Sequence, residues 1–216
     1  MRICRSIITT LLCVAAGFLV YMGCEDSGGG SSSGNHDFGD NDPQLVVAMG
    51  DSITAGFGLP GAASYPAQLA GLTGRPVRNS GVNGDSSASG ASRAAGVLSS
   101  AKPGYLLILY GSNDIIQGRD LVQAKENLRA IVGAAKANQT IPILGTVPNG
   151  IDSHAFMAPG VQMLNGLIGQ LAGEEGVAVA GVNGAMGSAP AFFQADGLHP
   201  SEAGAGRIAI AFSGRL

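Results

Sequence analysis

Residues 46–56 read Val46-Val47-Ala48-Met49-Gly50-Asp51-Ser52-Ile53-Thr54-Ala55-Gly56. An apolar run ends there at a glycine, a carboxylate and a serine. Such a run is typical of a parallel strand that is covered on both faces of a sheet. Because open α/β sheets place their chemistry in the loops at the carboxyl ends of strands, Ser52 is a candidate nucleophile.

Strand-like and helix-like segments alternate along the rest of the chain. This alternation predicts an α/β fold, a three-layer doubly wound (flavodoxin-like) sheet of about five parallel strands with helices on both faces. At 216 residues the chain is expected to hold one such domain. After the first strand, the apolar periodicity predicts strands at residues 76–80, 105–110, 141–147 and 177–182, and helices at residues 64–72, 87–99, 163–171 and 201–212, with a further long helix after a cap at Asp120.

Polar clusters follow three further segments of this pattern. Gly84 lies in a turn-rich loop after the second strand, and Asn113 follows the most strand-like run in the chain. Near the other end, Asp196 precedes His199 by three residues. A serine hydroxyl needs a neutral imidazole to take its proton, and an acid to orient that imidazole. The sequence therefore supplies Ser52, His199 and Asp196 as nucleophile, base and orienting acid.

These motifs resemble the four blocks of the SGNH, or GDSL, hydrolase family. The matching segments are Gly50-Asp51-Ser52, Asn83-Gly84-Asp85-Ser86, Gly111-Ser112-Asn113-Asp114 and Asp196-Gly197-Leu198-His199-Pro200. The resemblance implies hydrolysis of acyl esters or thioesters, lysophospholipids included, through an acyl-enzyme without metal or cofactor. It assigns the oxyanion-hole donors to the backbone N–H of Ser52, the backbone N–H of Gly84 and the side-chain amide of Asn113. Within this family, the chain is similar in particular to the small bacterial arylesterase, thioesterase and lysophospholipase group.

Four other polar residues invite a functional interpretation that the pattern does not favour. Asp51 and Asp114 each neighbour a proposed site residue, and we expect their carboxylates to bind local loop backbone. His154 has no second ligand at a spacing suited to zinc, and His36 is interpreted as a solvated residue.

Apolar residues after several strands could line a groove for the acyl chain, although they could equally be ordinary loop or core residues. They are Leu59, Ile115, Ile116, Val147 and Pro148. Two other functions stay open. One is a carbohydrate esterase that removes acetyl groups from exported polysaccharide, disfavoured because the chain has no Trp to stack on sugars. The other is a binding module without activity on the same fold.

The amino terminus has the order of an export signal. Arg2 and Arg5 precede an apolar run at residues 7–20, and Cys24 follows. This order resembles a bacterial lipoprotein signal at residues 1–23, which implies lipidation of Cys24 and a membrane-anchored protein facing the periplasm or cell surface. An uncleaved anchor and an ordinary secretory peptide are the alternatives.

Composition bounds the remaining expectations. Residues 24–43 are mostly small and polar, which predicts a flexible tether before a hydrolase domain at residues 44–216. The net charge of −3 and the lack of a basic cluster disfavour nucleic-acid partners. All 3 cysteines lie before the predicted tether or at its start, so the domain has no disulfide framework. A monomer acting on a small acyl ester or lipid-like substrate is expected.

Overall fold

Five parallel strands form the central sheet of the computed structural model, which describes residues 36–216. They are β1 (Asp42–Gly50), β2 (Val77–Gly81), β3 (Pro103–Leu109), β4 (Ile141–Gly145) and β5 (Ala178–Ala180). The strand order is β2-β1-β3-β4-β5. The chain thus builds one edge of the sheet and then returns past β1 to build the other, which confirms the predicted flavodoxin-like sheet.

Helices cover both faces of this sheet. They are α1 (Ser52–Ala55), α2 (Tyr65–Thr73), α3 (Ser87–Ala101), α4 (Ser112–Ile116), α5 (Leu121–Ala137), α6 (Ala158–Glu175), α7 (Val182–Met186) and α8 (Glu202–Ser213). Successive β1 side chains point to opposite faces. Val47 and Met49 join the core under α3, α5 and α6, while Val46 and Ala48 join the core under α2 and α8. The three-layer prediction is therefore confirmed.

Some elements differ from the sequence prediction. The apolar periodicity does not predict α1, α4 or α7, because helices of 4 or 5 residues are too short to show a helical period. Helix α6 begins at Ala158, ahead of the predicted start at Met163, with a proline in its first turn where proline is well tolerated. Asp120 caps α5 through the Val122 and Gln123 N–H groups, but the Gln123 side chain donates forward to Asn127.

The predicted signal at residues 1–23, Cys24 and the first part of the tether lie outside the described residues. Contacts with the sheet begin before residue 44, because β1 starts at Asp42 and the Phe38 ring lies 5.9 Å from that of Tyr105. His36 is exposed, and its Nε2 lies 3.1 Å from the Gln139 carbonyl oxygen.

From residue 36 onward, no helix combines the length and apolar character that crossing a membrane requires.

Candidate active site

Ser52 occupies the first position of α1, immediately after the carboxyl end of β1. The Asp51 carboxylate caps this helix by accepting the Ile53 N–H at 2.9 Å. A side chain at Gly50 would place its Cβ 2.5 Å from the Leu109 carbonyl oxygen and 2.0 Å from Thr54 Oγ1. The strand can therefore turn this sharply into the helix only with glycine before the capping aspartate.

His199 reaches Ser52 from the loop before α8. Ser52 Oγ lies 2.9 Å from His199 Nε2, and His199 Nδ1 lies 2.6 Å from Asp196 Oδ2. An ionised carboxylate can only accept, so Nδ1 carries the hydrogen and Nε2 is left to accept the serine proton. The structure brings the three predicted residues into one hydrogen-bonded chain.

The Asp196 carboxylate is held by its own loop as well as by the imidazole. Its Oδ1 accepts the backbone N–H groups of Leu198 and His199, each at 2.9 Å. Partial burial acts to raise the pKa of Asp196, but these hydrogen bonds and the one from His199 outweigh it and hold the pKa below its usual value. Asp196 is thus kept ionised, the state that orients an imidazole.

The proposed oxyanion-hole residues follow the three adjacent strands β2, β1 and β3. Gly50 at the end of β1 pairs with Gly81 of β2 and Leu109 of β3, so these strand ends lie level with one another. Asn113 Nδ2 donates one hydrogen to the Asp85 carbonyl oxygen at 2.9 Å, which leaves its second hydrogen for another acceptor.

Gly84 has a positive φ of 78°, and a Cβ there would meet nothing within 4 Å. The glycine is therefore required by its backbone conformation and not by contact with a neighbouring protein group.

The two aspartates beside the site lie outside the Ser52–His199–Asp196 chain. Burial raises the pKa of Asp51 to about 7; the Ile53 N–H opposes this rise, and the negative charges of Asp114 and Asp85 add to it. Asp114 accepts the Ser87 N–H at 2.9 Å and the Ser87 hydroxyl at 2.7 Å. Asp51 binds local backbone as expected, whereas Asp114 binds the start of α3.

The five residues predicted to line an acyl groove differ in exposure. Val147 and Pro148 are buried, and Val147 belongs to the core under α6. Leu59, Ile115 and Ile116 are half-buried and pack on the core clusters. Of the five, only Leu59, Ile115 and Ile116 therefore keep partly exposed apolar surface.

Three residues to which the sequence pattern assigns no role in the site contact the His199 loop. The Phe57 ring is half exposed and packs on the His199 ring, with centroids 4.6 Å apart. Gln194 Nε2 donates to the Phe57 carbonyl at 2.7 Å and to the Pro200 carbonyl at 2.9 Å. His154 Nδ1 lies 2.9 Å from the Asp196 carbonyl oxygen. The position of Phe57, close after Ser52, was the one available signal for that residue. Nothing local marks Gln194, and nothing in the sequence around His154 indicates a contact with Asp196.

The arrangement suits nucleophilic chemistry at a carbonyl. His199 can withdraw the Ser52 proton as the oxygen attacks, and donors at the neighbouring strand ends can face the charge that develops. Among residues 36–216 no group of three or more His, Cys, Asp or Glu side chains could hold a metal ion.

Comparison with known proteins finds a family, individual relatives and solved structures that resemble this chain. A sequence model described as the GDSL-like Lipase/Acylhydrolase family matches residues 48–207. Esterase TesA of Pseudomonas aeruginosa is 30% identical over 177 residues, which cover 76% of this chain and 84% of that protein. Thioesterase 1/protease 1/lysophospholipase L1 of Escherichia coli is 31% identical over 101 residues, 46% of this chain and 49% of that protein.

Solved structures share the fold. A crystal structure of TesA has a TM-score of 0.71 at 26% identity and covers 80% of this chain and 97% of that one. The psychrotrophic esterase EstA from Pseudoalteromonas has a TM-score of 0.68 at 18% identity, over 80% of this chain and 96% of that one.

Proposed function

The chain belongs to the GDSL-like lipase/acylhydrolase family, and from that premise we propose that it hydrolyses carboxylic esters through an acyl-enzyme on Ser52. The observation that carries this proposal is the hydrogen-bonded chain from Ser52 Oγ to His199 Nε2 at 2.9 Å and from His199 Nδ1 to Asp196 Oδ2 at 2.6 Å. A mere helix-capping serine would have no need of an oriented imidazole 147 residues away.

The reaction has two halves. Ser52 Oγ attacks the ester carbonyl carbon while His199 Nε2 takes the hydroxyl proton, and the ester C–O bond then breaks as His199 returns that proton to the leaving alcohol. In the second half His199 Nε2 takes a proton from a water molecule as the water oxygen attacks the acyl carbon. His199 returns that proton to Ser52 Oγ as the acyl C–Oγ bond breaks, which releases the acid and restores Ser52. Asp196 holds the imidazole and stabilises its protonated form in both halves.

In each half of the reaction the substrate carbonyl oxygen becomes negatively charged, and three hydrogen-bond donors are assigned to stabilise it. They are the Ser52 N–H, the Gly84 N–H and the second amide hydrogen of Asn113, on level strand ends. Loss of one such donor typically costs about 3 kcal/mol of transition-state stabilisation. Asn113 suits this role because its amide is neutral and does not repel the charge.

The substrate class follows from the relatives and from the apolar surface near the strand ends. The relatives are named for esterase, thioesterase and lysophospholipase activities. Short to medium acyl esters are the proposed substrates, with acyl-thioesters and lysophospholipids in the same class, and the half-buried Leu59, Ile115 and Ile116 are assigned to the acyl chain.

The test is a panel of acyl esters from acetyl to long chain, acyl-thioesters and acetylated sugars. Wild type is expected to hydrolyse short to medium acyl esters, and Ser52→Ala to lose kcat by about a thousandfold or more. Ser188→Ala, at an exposed serine in the turn after α7, is the matched control. Replacement of Ile115 and Ile116 by alanine is expected to change the chain-length preference; an unchanged preference removes the groove assignment.

A serine-reactive phosphonate separates this proposal from its alternatives. Mass mapping is expected to find the adduct on Ser52. Absence of an adduct on folded protein favours the binding module, and activity confined to acetylated sugars favours the carbohydrate esterase.

A further inference from the structure

Arg93, on α3, binds the ends of two strands and the loop after a third. Its Nε donates to Asp85 Oδ2 at 2.7 Å. Its Nη2 donates to the Gly50 carbonyl at 3.2 Å and to the Tyr110 hydroxyl at 2.5 Å. The Arg93 side chain is 24% exposed and the Asp85 side chain 11%. One side chain thus joins β1, the loop after β2 and the end of β3.

Each partner of Arg93 adjoins a proposed oxyanion-hole donor. Gly50 directly precedes Asp51 and Ser52. Asp85 directly follows Gly84, and its carbonyl oxygen accepts the Asn113 side chain. Tyr110 begins the segment that leads to Asn113. The three donors come from separate parts of the chain, and Arg93 is hydrogen-bonded to a residue within three positions of each.

The shape of the group matters as much as its charge. A guanidinium presents several N–H donors in a fixed planar fork, whereas a lysine ammonium is a compact charge on a flexible stem. Gly90, one turn before Arg93, lets Tyr110 come close, because a Cβ there would lie 2.6 Å from Tyr110 Cζ. The Tyr110 ring is fully buried, so its hydroxyl is a fixed anchor for Arg93.

We infer that Arg93 is a positioning residue for the oxyanion hole: it sets the spacing of the Ser52, Gly84 and Asn113 donors without touching the substrate. This inference rests on the proposed function. Oxyanion-hole donors act only if they are held in place before the charge develops. If the donors are no longer held in place, stabilisation of the transition state decreases more than substrate binding does. The loss is therefore expected in kcat and not in KM.

The experiment compares Arg93→Ala, Arg93→Lys and wild type with one acyl ester accepted by wild type. Arg93→Ala is expected to lower kcat about 10- to 100-fold, as small misplacements of catalytic groups do, and to leave KM within about twofold. Arg93→Lys stays impaired, because a single nitrogen does not reproduce the fork. Arg78→Ala, an exposed arginine on β2, is the matched control with unchanged kinetics.

Chemical rescue distinguishes positioning from general stability. Guanidinium chloride at about 50 mM, far below denaturing concentrations, is expected to restore kcat of Arg93→Ala severalfold, because the vacated site is partly open to solvent. The same salt leaves wild type and Arg78→Ala unchanged.

Three results bear against the inference. A wild-type kcat in folded Arg93→Ala overturns it. So does a decrease in kcat that disappears once the rate is divided by the fraction of protein that reacts with the phosphonate. If Arg93→Ala does not fold, Tyr110→Phe takes its place, and wild-type kcat in folded Tyr110→Phe overturns the inference. Failure of the proposed function is distinct, since wild type and Ser52→Ala would then be equally inactive.

Discussion

Asp51 lies immediately before the proposed nucleophile, and the residue is 1% exposed. Burial raises its pKa from an ordinary 3.8 to about 7. Between these pH values the folded chain holds a proton on Asp51 that the unfolded chain has released. The free energy of unfolding therefore falls as pH rises across this range, and the cost is complete above about pH 7.

Asp51→Asn is expected to remove this pH-dependent cost, because an amide oxygen can still accept the Ile53 N–H but carries no charge. The difference in free energy of unfolding between the variant and wild type is expected to be larger at pH 8 than at pH 4, by on the order of 3 kcal/mol in favour of the variant. Urea unfolding at both pH values measures the difference. Asp120→Asn is the matched control, since Asp120 also caps a helix but is exposed. A constant difference between wild type and Asp51→Asn would contradict the expectation.

Among single residues, the sequence supplied those whose chemistry is marked by a local motif. Ser52, Asn113, Asp196 and His199 stand in short patterns at predicted strand or loop ends. Arg93 carries no such mark, because its partners lie 8, 17 and 43 residues away along the chain. A side chain whose role comes from distant partners cannot be found by reading its neighbours.

Helix α3 carries Arg93, and its two glycines have opposite surroundings. A Cβ at Gly90 would lie 2.6 Å from the Tyr110 ring, whereas one at Gly96 would meet nothing within 4 Å. Glycine inside a helix is less favourable than alanine by about 0.5–1 kcal/mol. Packing alone therefore decides the sign of a glycine-to-alanine change in this helix.

Gly96→Ala is expected to raise the free energy of unfolding by about 0.5–1 kcal/mol. Gly90→Ala is expected to lower it by about 1 kcal/mol or more, because forcing a methyl group against a buried ring costs about 1–3 kcal/mol. Urea unfolding of the two variants checks both signs. Equal stabilisation by both changes would contradict the prediction and would show that the Tyr110 ring can move to make room for a methyl group at residue 90.

Among the elements, long helices and buried strands were predictable and one-turn helices were not. Helix α5 repeats its apolar spacing over 17 residues. Helix α1, with 4 residues, forms because Asp51 caps it against the end of β1. Such a turn depends on its cap and its tertiary setting more than on propensity.

In the molecule as a whole, the carboxyl edge of the sheet holds the candidate site and the opposite edge receives residues 36–43. Phe38 packs on Tyr105, Asp42 pairs with Pro103, and Asn41 donates to Thr140 Oγ1 at 3.5 Å. These contacts lie at the amino ends of β1, β3 and β4, away from Ser52. Removing them should affect stability and not catalysis.

A chain of residues 44–216 is expected to be less stable than one of residues 36–216 by about 1.5–3 kcal/mol, the typical value of burying one large apolar side chain. Its kcat per folded molecule should be the same. Urea unfolding and ester hydrolysis measure the two quantities. Phe38→Ala in the chain of residues 36–216 tests whether the contact of Phe38 with Tyr105 accounts for most of the lost stability. Equal stability of the chains 44–216 and 36–216 would contradict the prediction that residues 36–43 stabilise the fold.

The sequence alone specified the layered parallel sheet and the order of its chemical motifs. Both follow from local information, since burial pattern fixes strands and helices, and a motif needs only adjacent residues. Folding added the contacts across the chain. It bonded Arg93 to three separated segments, fixed the His199 loop through Gln194, and buried Val147 and Pro148. Such contacts depend on how neighbouring strands and helices pack, and no short stretch of sequence encodes that.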